Sequence, residues 1–230
     1  MRRAKPVKAP SKSRRKKEPK RRSYRHGNLR EALIAEAVQM MEERDDSAFT
    51  LREVAQRIRV SHTAAYRHFP SKGALLAEMA RRGFAVLAEG LAAGLAAGKT
   101  AEEAVCQQSR AYIRTALTQG ALFRCMFGPR KFGPENDALV DESCDTCFEL
   151  LRQAATRVSE EYGVVMPSVP EISLSIWSMV HGLSNLALDG QLCDLSNDTL
   201  ENYEELAEKS ARQLLSGLIP RSTAPGAHEQ

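Results

Sequence analysis

From about residue 28 to residue 219 the apolar residues recur every three or four positions, and no useful stretch alternates with a period of two. That period belongs to helices packed along one stripe, so the chain is expected to be all-α. Leu29, Leu33, Ala37 and Met41 form such a stripe with Ile34 and Val38 beside it, which predicts a helix over Asn28 to Glu43. Thr50-Leu51-Arg52-Glu53 holds both halves of a capping box and opens a short helix with Leu51, Val54, Ala55 and Ile58 inward. Ser61 caps a third helix that runs through Phe69. Pro70 stops it, because the residue before proline avoids the helical region. Ser71 caps a fourth from Lys72 onward. Further helices are expected over 101–118, 119–127, 136–162, 170–188 and 198–219. A loop lies at 128–134, and Pro167 and Pro170 bracket another. Asp198 and Glu201 open the last helix, and Gly217 and Pro220 help to end it.

Charge divides the chain unevenly. Residues 1–25 hold thirteen Lys/Arg against one acid, a balance of +12, whereas the other 205 residues hold 20 bases and 28 acids, a balance of −8. Like charges, three prolines and no hydrophobic period predict a disordered basic arm over 1–25. A cationic arm on a mildly acidic body calls for a polyanionic partner. No apolar stretch follows the basic residues, so they are not read as a signal peptide. The best apolar run, Phe84 to Gly98, is broken by Glu89 and glycines and is too short to span a bilayer. Five cysteines without a dense framework fit a reducing, cytoplasmic setting.

Residues 50–69 carry the most specific signal. Two short helices meet at a tight turn, and the second has few large apolar residues on its outer face. A helix-turn-helix unit needs this layout: one helix braces, and the next lies in the major groove. Ala65 and Phe69 point inward at i, i+4. Ser61, His62, Thr63, Ala64, Tyr66, Arg67 and His68 remain outward or flanking. His62 and Thr63 suit base edges, and Ala64 suits close approach to a thymine methyl. Tyr66, His68 and Lys72 suit phosphates.

The stretch from Asn28 to Met79 resembles the DNA-binding domain of TetR-family bacterial transcription regulators. The likeness rests on Phe49-Thr50, Val54-Ala55, Val60-Ser61, Tyr66-x-His68-Phe69 and Ser71-Lys72-x-x-Leu75-Leu76. It implies a phosphate contact at Thr50, a base or phosphate contact at Arg52, and a variable role for Arg67. Family turns usually carry glycine before the Val-Ser pair, where this chain has Arg59. In the left-handed region a side chain costs roughly 1 kcal/mol. Either the turn relaxes, or Arg59 accepts the strain and touches phosphate.

The resemblance also implies a division of the chain. A basic arm (1–25, with Arg21, Arg22 and Arg25 nearest the duplex) precedes a three-helix DNA-binding domain (26–72). A helical ligand-binding and dimerisation domain (73–220) and a flexible tail (221–230) follow. Two late helices support dimerisation. One has Ile172, Ile176, Met179/Val180, Leu183 and Leu186/Ala187 on an apolar face, with small Ser175, Ser178 and Gly182. The other has Leu200, Tyr203, Leu206/Ala207, Leu214 and Leu218. Paired across a two-fold axis, they would make a four-helix interface.

Trp177-x-x-x-His181-Gly182 resembles the Trp-His-Gly signature of one subfamily of TetR C-terminal domains. Trp177 and His181 share a helix face and read either as packed core or as a pocket wall with a polar handle. Phe84, Tyr112, Phe123, Met126, Phe127 and Phe148 are the other candidates for a ligand pocket, with Leu87 beside them. Together they point to a small apolar effector. Cys144-Asp-Thr-Cys147 lacks the two further ligands a zinc site needs, and two thiols packed as small apolar groups outweigh a redox pair. No nucleophile–base pair and no phosphate-cradling loop is visible, so neither an enzyme nor a cofactor is expected. The expected function is a homodimeric, sequence-specific regulator of transcription, read as a repressor. It would bind a palindromic duplex operator, be released by the effector and have no membrane partner. A sequence-tolerant DNA-coating protein driven by the arm is the alternative.

Overall fold

The capping residues read from the sequence set the helix boundaries. The computed structural model describes residues 29–44, 48–128, 132–164, 167–192 and 199–218. The arm with Arg21, Arg22 and Arg25, the tail from 221, Asp198 and Pro220 lie outside the described residues. Among the described residues there are nine helices and no strand: α1 Leu29–Arg44, α2 Leu51–Arg57, α3 His62–His68, α4 Lys72–Ala97, α5 Ala101–Thr118, α6 Gly120–Phe127, α7 Pro134–Tyr162, α8 Val169–Leu188 and α9 Leu200–Leu218.

Thr50 closes the expected capping box: its Oγ1 accepts from Glu53 N–H at 3.1 Å, and Glu53 Oε2 accepts from Thr50 N–H at 2.6 Å. Ser61 and Ser71 accept from the amides of Ala64 and Ala74 at 3.1 and 3.0 Å. Phe69 is extended (φ −134°, ψ 108°) ahead of Pro70, which ends α3 one residue earlier than expected. Two starts rest on groups the sequence reading passes over. Glu171 Oε2 accepts from both Ser168 N–H (2.7 Å) and Ser168 Oγ (2.6 Å) at the head of α8. Thr199 Oγ1 accepts from Asn202 N–H at 3.3 Å at the head of α9.

α1, α2 and α3 pack on one another, and α4 leads from them into the body, where it lies against α5, α6 and α7. α5 is the central helix, touching α4, α6, α7, α8 and α9. One apolar core runs from Leu33, Met40 and Phe69 through Leu75, Met79 and Phe84 to Phe123 and Val180. Each such side chain contributes about 1.5–3 kcal/mol by leaving water. A second cluster joins Val105, Val158, Ile172, Ile176 and Leu215. Gly98 lets α4 turn into α5: a Cβ there would stand 2.2 Å from the Ala104 amide nitrogen. Arg157 of α7 donates to Leu95 O (3.0 Å) and Gly98 O (3.1 Å), closing carbonyls left open at the end of α4.

The apolar face of α8 faces inward. Ile172, Ile176 and Val180 are buried in the protein's own core. The outward stripe is Leu174, Ser178, Gly182 and Leu186, with Leu174 55% and Leu186 42% exposed. On α9, Ala207, Ala211 and Leu215 are buried, while Tyr203, Leu206 and Leu214 are only half covered.

Candidate DNA-reading face and ligand cavity

α3 is held from behind by Ala65 (0% exposed) and Phe69 (2%), with the Arg30 guanidinium 5.0 Å from the Phe69 ring centre. The front is left to solvent. Ser61, His62, Thr63, Tyr66, Arg67 and His68 are exposed, and Ala64 is half-buried. Thr50 and Arg52 are exposed at the start of α2. Lys72 lies at the head of α4, its ammonium 4.9 Å from the Phe49 ring centre. The ten sequence-predicted contact residues therefore sit on α3 or at the ends of the helices beside it. A cylinder 10–12 Å across fits a major groove about 12 Å wide, and the first turn of α3 carries the residues suited to base edges.

The turn keeps its shape despite Arg59. Arg59 has φ 60° and is the one non-glycine residue with positive φ among the described residues. Arg59 N–H donates to Gln56 O at 3.1 Å and Val60 N–H to Ala55 O at 3.0 Å. These are the two bonds of a Schellman closure, with Arg59 in the position that normally takes glycine. Gly163, φ 63°, takes the same conformation after α7. The turn therefore keeps the strained geometry rather than relaxing, and the side chain of Arg59 is exposed.

A charged joint ties this head to the body. Glu78 of α4, 9% exposed, accepts from Arg30 of α1 at 2.9 Å and from Arg81 and Arg82 of its own helix at 3.1 and 2.9 Å. Burial alone would raise the Glu78 carboxyl, but the three guanidiniums outweigh it and hold the pKa at about 2. Arg82 also clasps Glu31 of α1 at 2.6 Å. The sequence reading misses these residues, although Glu78 and Arg82 have the i, i+4 order that favours a helical ion pair.

The aromatic candidates divide into two layers. Phe84, Tyr112, Phe127, Phe148 and Trp177 line a cavity of about 30 Å³ enclosed by α4, α5, α6, α7 and α8. Phe148 is 38% exposed, so the wall reaches the surface there. Phe123, Met126 and His181 do not line the cavity and stand behind it. The Phe123 ring lies 5.7 Å from Tyr112 and 5.6 Å from His181, and Met126 packs on Gly83. A ligand pocket is usually 300–1,000 Å³, so an occupant of that size must move the aromatic wall.

Trp177, Tyr112 and His181 form a hydrogen-bonded chain. Trp177 Nε1–H can only donate, and it meets Tyr112 Oη at 3.2 Å. Tyr112 Oη also stands 2.9 Å from His181 Nδ1, and in the tautomer that carries its proton on Nε2 the phenol donates to that nitrogen. Burial lowers the His181 pKa from its ordinary 6.5 and raises that of Tyr112, so both shifts favour this neutral arrangement.

Cys147 is 6% exposed, its Sγ donates to Phe84 O at 3.5 Å, and burial pushes its pKa to about 12. A thiol held protonated is a poor redox sensor, which favours the packing role. Among the described residues no group of three His, Cys, Asp or Glu could hold a metal ion, and no helix is long and apolar enough to cross a membrane.

Two family models match this chain: that of bacterial regulatory proteins of the tetR family over residues 33–79, and that of a tetracyclin repressor-like C-terminal domain over residues 105–210. The chain belongs to the TetR family. It is a helix-turn-helix, DNA-binding regulator of transcription, and the family consists of regulators rather than enzymes. Several solved structures share the fold. A protein of unknown function from Rhodococcus sp. RHA1 is 26% identical, with a TM-score of 0.71 over 86% of this chain and 100% of that one. PfmR, a TetR family transcriptional regulator from Thermus thermophilus, is 23% identical, with a TM-score of 0.64 over 82% and 99% of the two chains. AibR, solved in complex with isovaleryl coenzyme A and operator DNA, is 16% identical, with a TM-score of 0.61 over 83% and 98%. No curated protein matches the sequence.

Proposed function

We propose that this TetR-family protein is a cytoplasmic homodimeric repressor that leaves a palindromic operator when a small apolar effector enters the aromatic cavity. One observation carries the reading: α4 is at once the helix that Arg30 and Glu31 clasp to the DNA-reading head and a wall of the cavity through Phe84. An occupant that moves Phe84 therefore bears on the element that sets the placement of α3. In a dimer, that placement decides whether two α3 helices meet successive major grooves ~34–36 Å apart. The effector needs only to favour the displaced state over the DNA-bound one. AibR, a relative in fold, holds isovaleryl coenzyme A and operator DNA in one complex, which pairs a small-molecule ligand with DNA.

The outward stripe of α8, with Ser178 and Gly182 between Leu174 and Leu186, and the half-covered stripe of α9 support pairing across a two-fold axis. His62, Thr63 and Ala64 read bases; Thr50, Tyr66, His68 and Lys72 hold phosphates; Arg52 and Arg67 reach either. The arm with Arg21, Arg22 and Arg25 adds sequence-independent affinity through counterion release. The Trp177, His181 and Gly182 pattern belongs, in this reading, to the Trp-His-Gly subfamily.

Selection of bound duplexes from a random pool tests the proposal. A two-fold symmetric site is expected; enrichment of no sequence, with binding governed by salt alone, would instead make the chain the DNA-coating protein of the alternative reading.

A further inference from the structure

Gln108 of α5 is 2% exposed and lines the cavity. Its Nε2 donates to Leu91 O of α4 at 3.2 Å and to Leu150 O of α7 at 3.0 Å. Both neighbours are carbonyls and accept only, so the nitrogen must face them and the amide cannot be turned over. Gln108 Oε1 is thereby fixed away from both, and it is buried with no hydrogen-bond partner among the described residues. A buried acceptor without a donor costs stability and marks a position that calls for a partner.

Four other polar side chains of the wall are engaged elsewhere. Ser109 Oγ–H is held by Val105 O at 2.8 Å, Trp177 Nε1–H by Tyr112 Oη and Cys147 Sγ–H by Phe84 O, while Tyr112 Oη is engaged with Trp177 Nε1 and His181 Nδ1. Among the described residues no Lys, Arg, His, Asp or Glu lines the cavity. A carboxylate or phosphate would lie there with no cation and beside an acceptor. An ammonium would lie there with no carboxylate. Both are penalised by desolvation.

Building on the reading of the cavity as the effector site, we infer that it takes an uncharged, largely apolar ligand bearing one hydrogen-bond donor, a hydroxyl or N–H, which meets Gln108 Oε1. The aromatic wall supplies contact area, and the single acceptor sets which end of the ligand goes in. Because the Gln108 amide also links the backbones of α4 and α7, the donor meets the protein where these helices are tied together.

Calorimetric titration of the full chain with 4-tert-butylphenol, its methyl ether 4-tert-butylanisole and 4-tert-butylbenzoate tests this. The three share one apolar body and differ in carrying a donor, an acceptor only, or an anion. The phenol is expected to bind about tenfold or more tighter than the ether, and the benzoate more weakly than either. In Gln108→Met, which keeps length and removes the acceptor, the advantage of the phenol over the ether is expected to vanish. Equal or tighter binding of the ether or the benzoate by the wild type overturns the donor assignment and leaves the cavity as an apolar effector site. Binding of none of the three overturns the effector-site reading and the donor assignment with it. The wild-type comparison decides the matter even where Gln108→Met does not fold.

Discussion

The DNA-reading head and the cavity in the body put side chains to work in opposite ways. On α3, the proposed contacts lie in what is exposed: two buried residues, Ala65 and Phe69, anchor the helix and leave its front to solvent. Around the cavity, the proposed function lies in what is covered, and side chains from several helices must converge before any site exists. The head can therefore lose a contact residue and keep its fold. The body cannot lose a wall residue without a cost in stability.

Five substitutions or conditions probe that contrast, in order of expected effect. Phe123→Ala, behind the cavity and 1% exposed, should destabilise the protein by about 3–5 kcal/mol in chemical unfolding. A loss under ~1 kcal/mol would mean the aromatic layer is not close-packed. Tyr66→Glu places a carboxylate on the exposed face of α3 and should weaken operator binding about 100-fold in a mobility-shift titration. Its melting temperature should match the wild type, and a lowered one would show that the face is structural. Gly182→Arg meets open space among the described residues, since none of them lies within 4 Å of an added Cβ. It should leave the fold intact yet raise the dimer dissociation constant at least ~10-fold in sedimentation, and an unchanged constant would move the interface off α8.

Arg59→Gly relieves the left-handed arginine and should stabilise the head by up to ~1 kcal/mol, read by differential scanning calorimetry. A loss of operator affinity alongside that gain would place the Arg59 side chain on phosphate. The smallest effect is one of pH. The folded His181 pKa lies below its ordinary 6.5, so the neutral ring is favoured in the folded state. Its contribution is complete above 6.5 and is lost as pH falls through the folded pKa. Acidification from pH ~7.5 to ~5.5 should lower the melting temperature of the wild type more than that of His181→Asn. Equal slopes would remove His181 from the hydrogen-bonded chain.

The contrast also explains what is legible in the sequence. Thr50, Ser61, Ser71 and Pro70 act on backbone three residues away or fewer, so spacing alone locates α2, α3 and the start of α4. Ala65 and Phe69 are legible as the back of α3 for the same reason. The cavity is legible only as a set of aromatics, because which of them face one another depends on how five helices cross. Gln108 reads as a surface residue by its chemistry, yet it is buried because its side of α5 packs against α4 and α7. The same central position buries Glu204 of α9 against Arg110 and Arg114 of α5 at 3.1 and 2.6 Å. The apolar face of α8 reads as an interface, but such a face is satisfied equally by a neighbour in its own chain. Here Ile172 and Ile176 meet that neighbour.

Hydroxyl-radical footprinting of the full chain on a duplex recovered by selection tests the central claim most directly. Two α3 helices presented by a symmetric dimer should protect two patches related by a two-fold axis, ~34–36 Å or slightly more from centre to centre. A single patch, or protection spread evenly along the duplex, would contradict it.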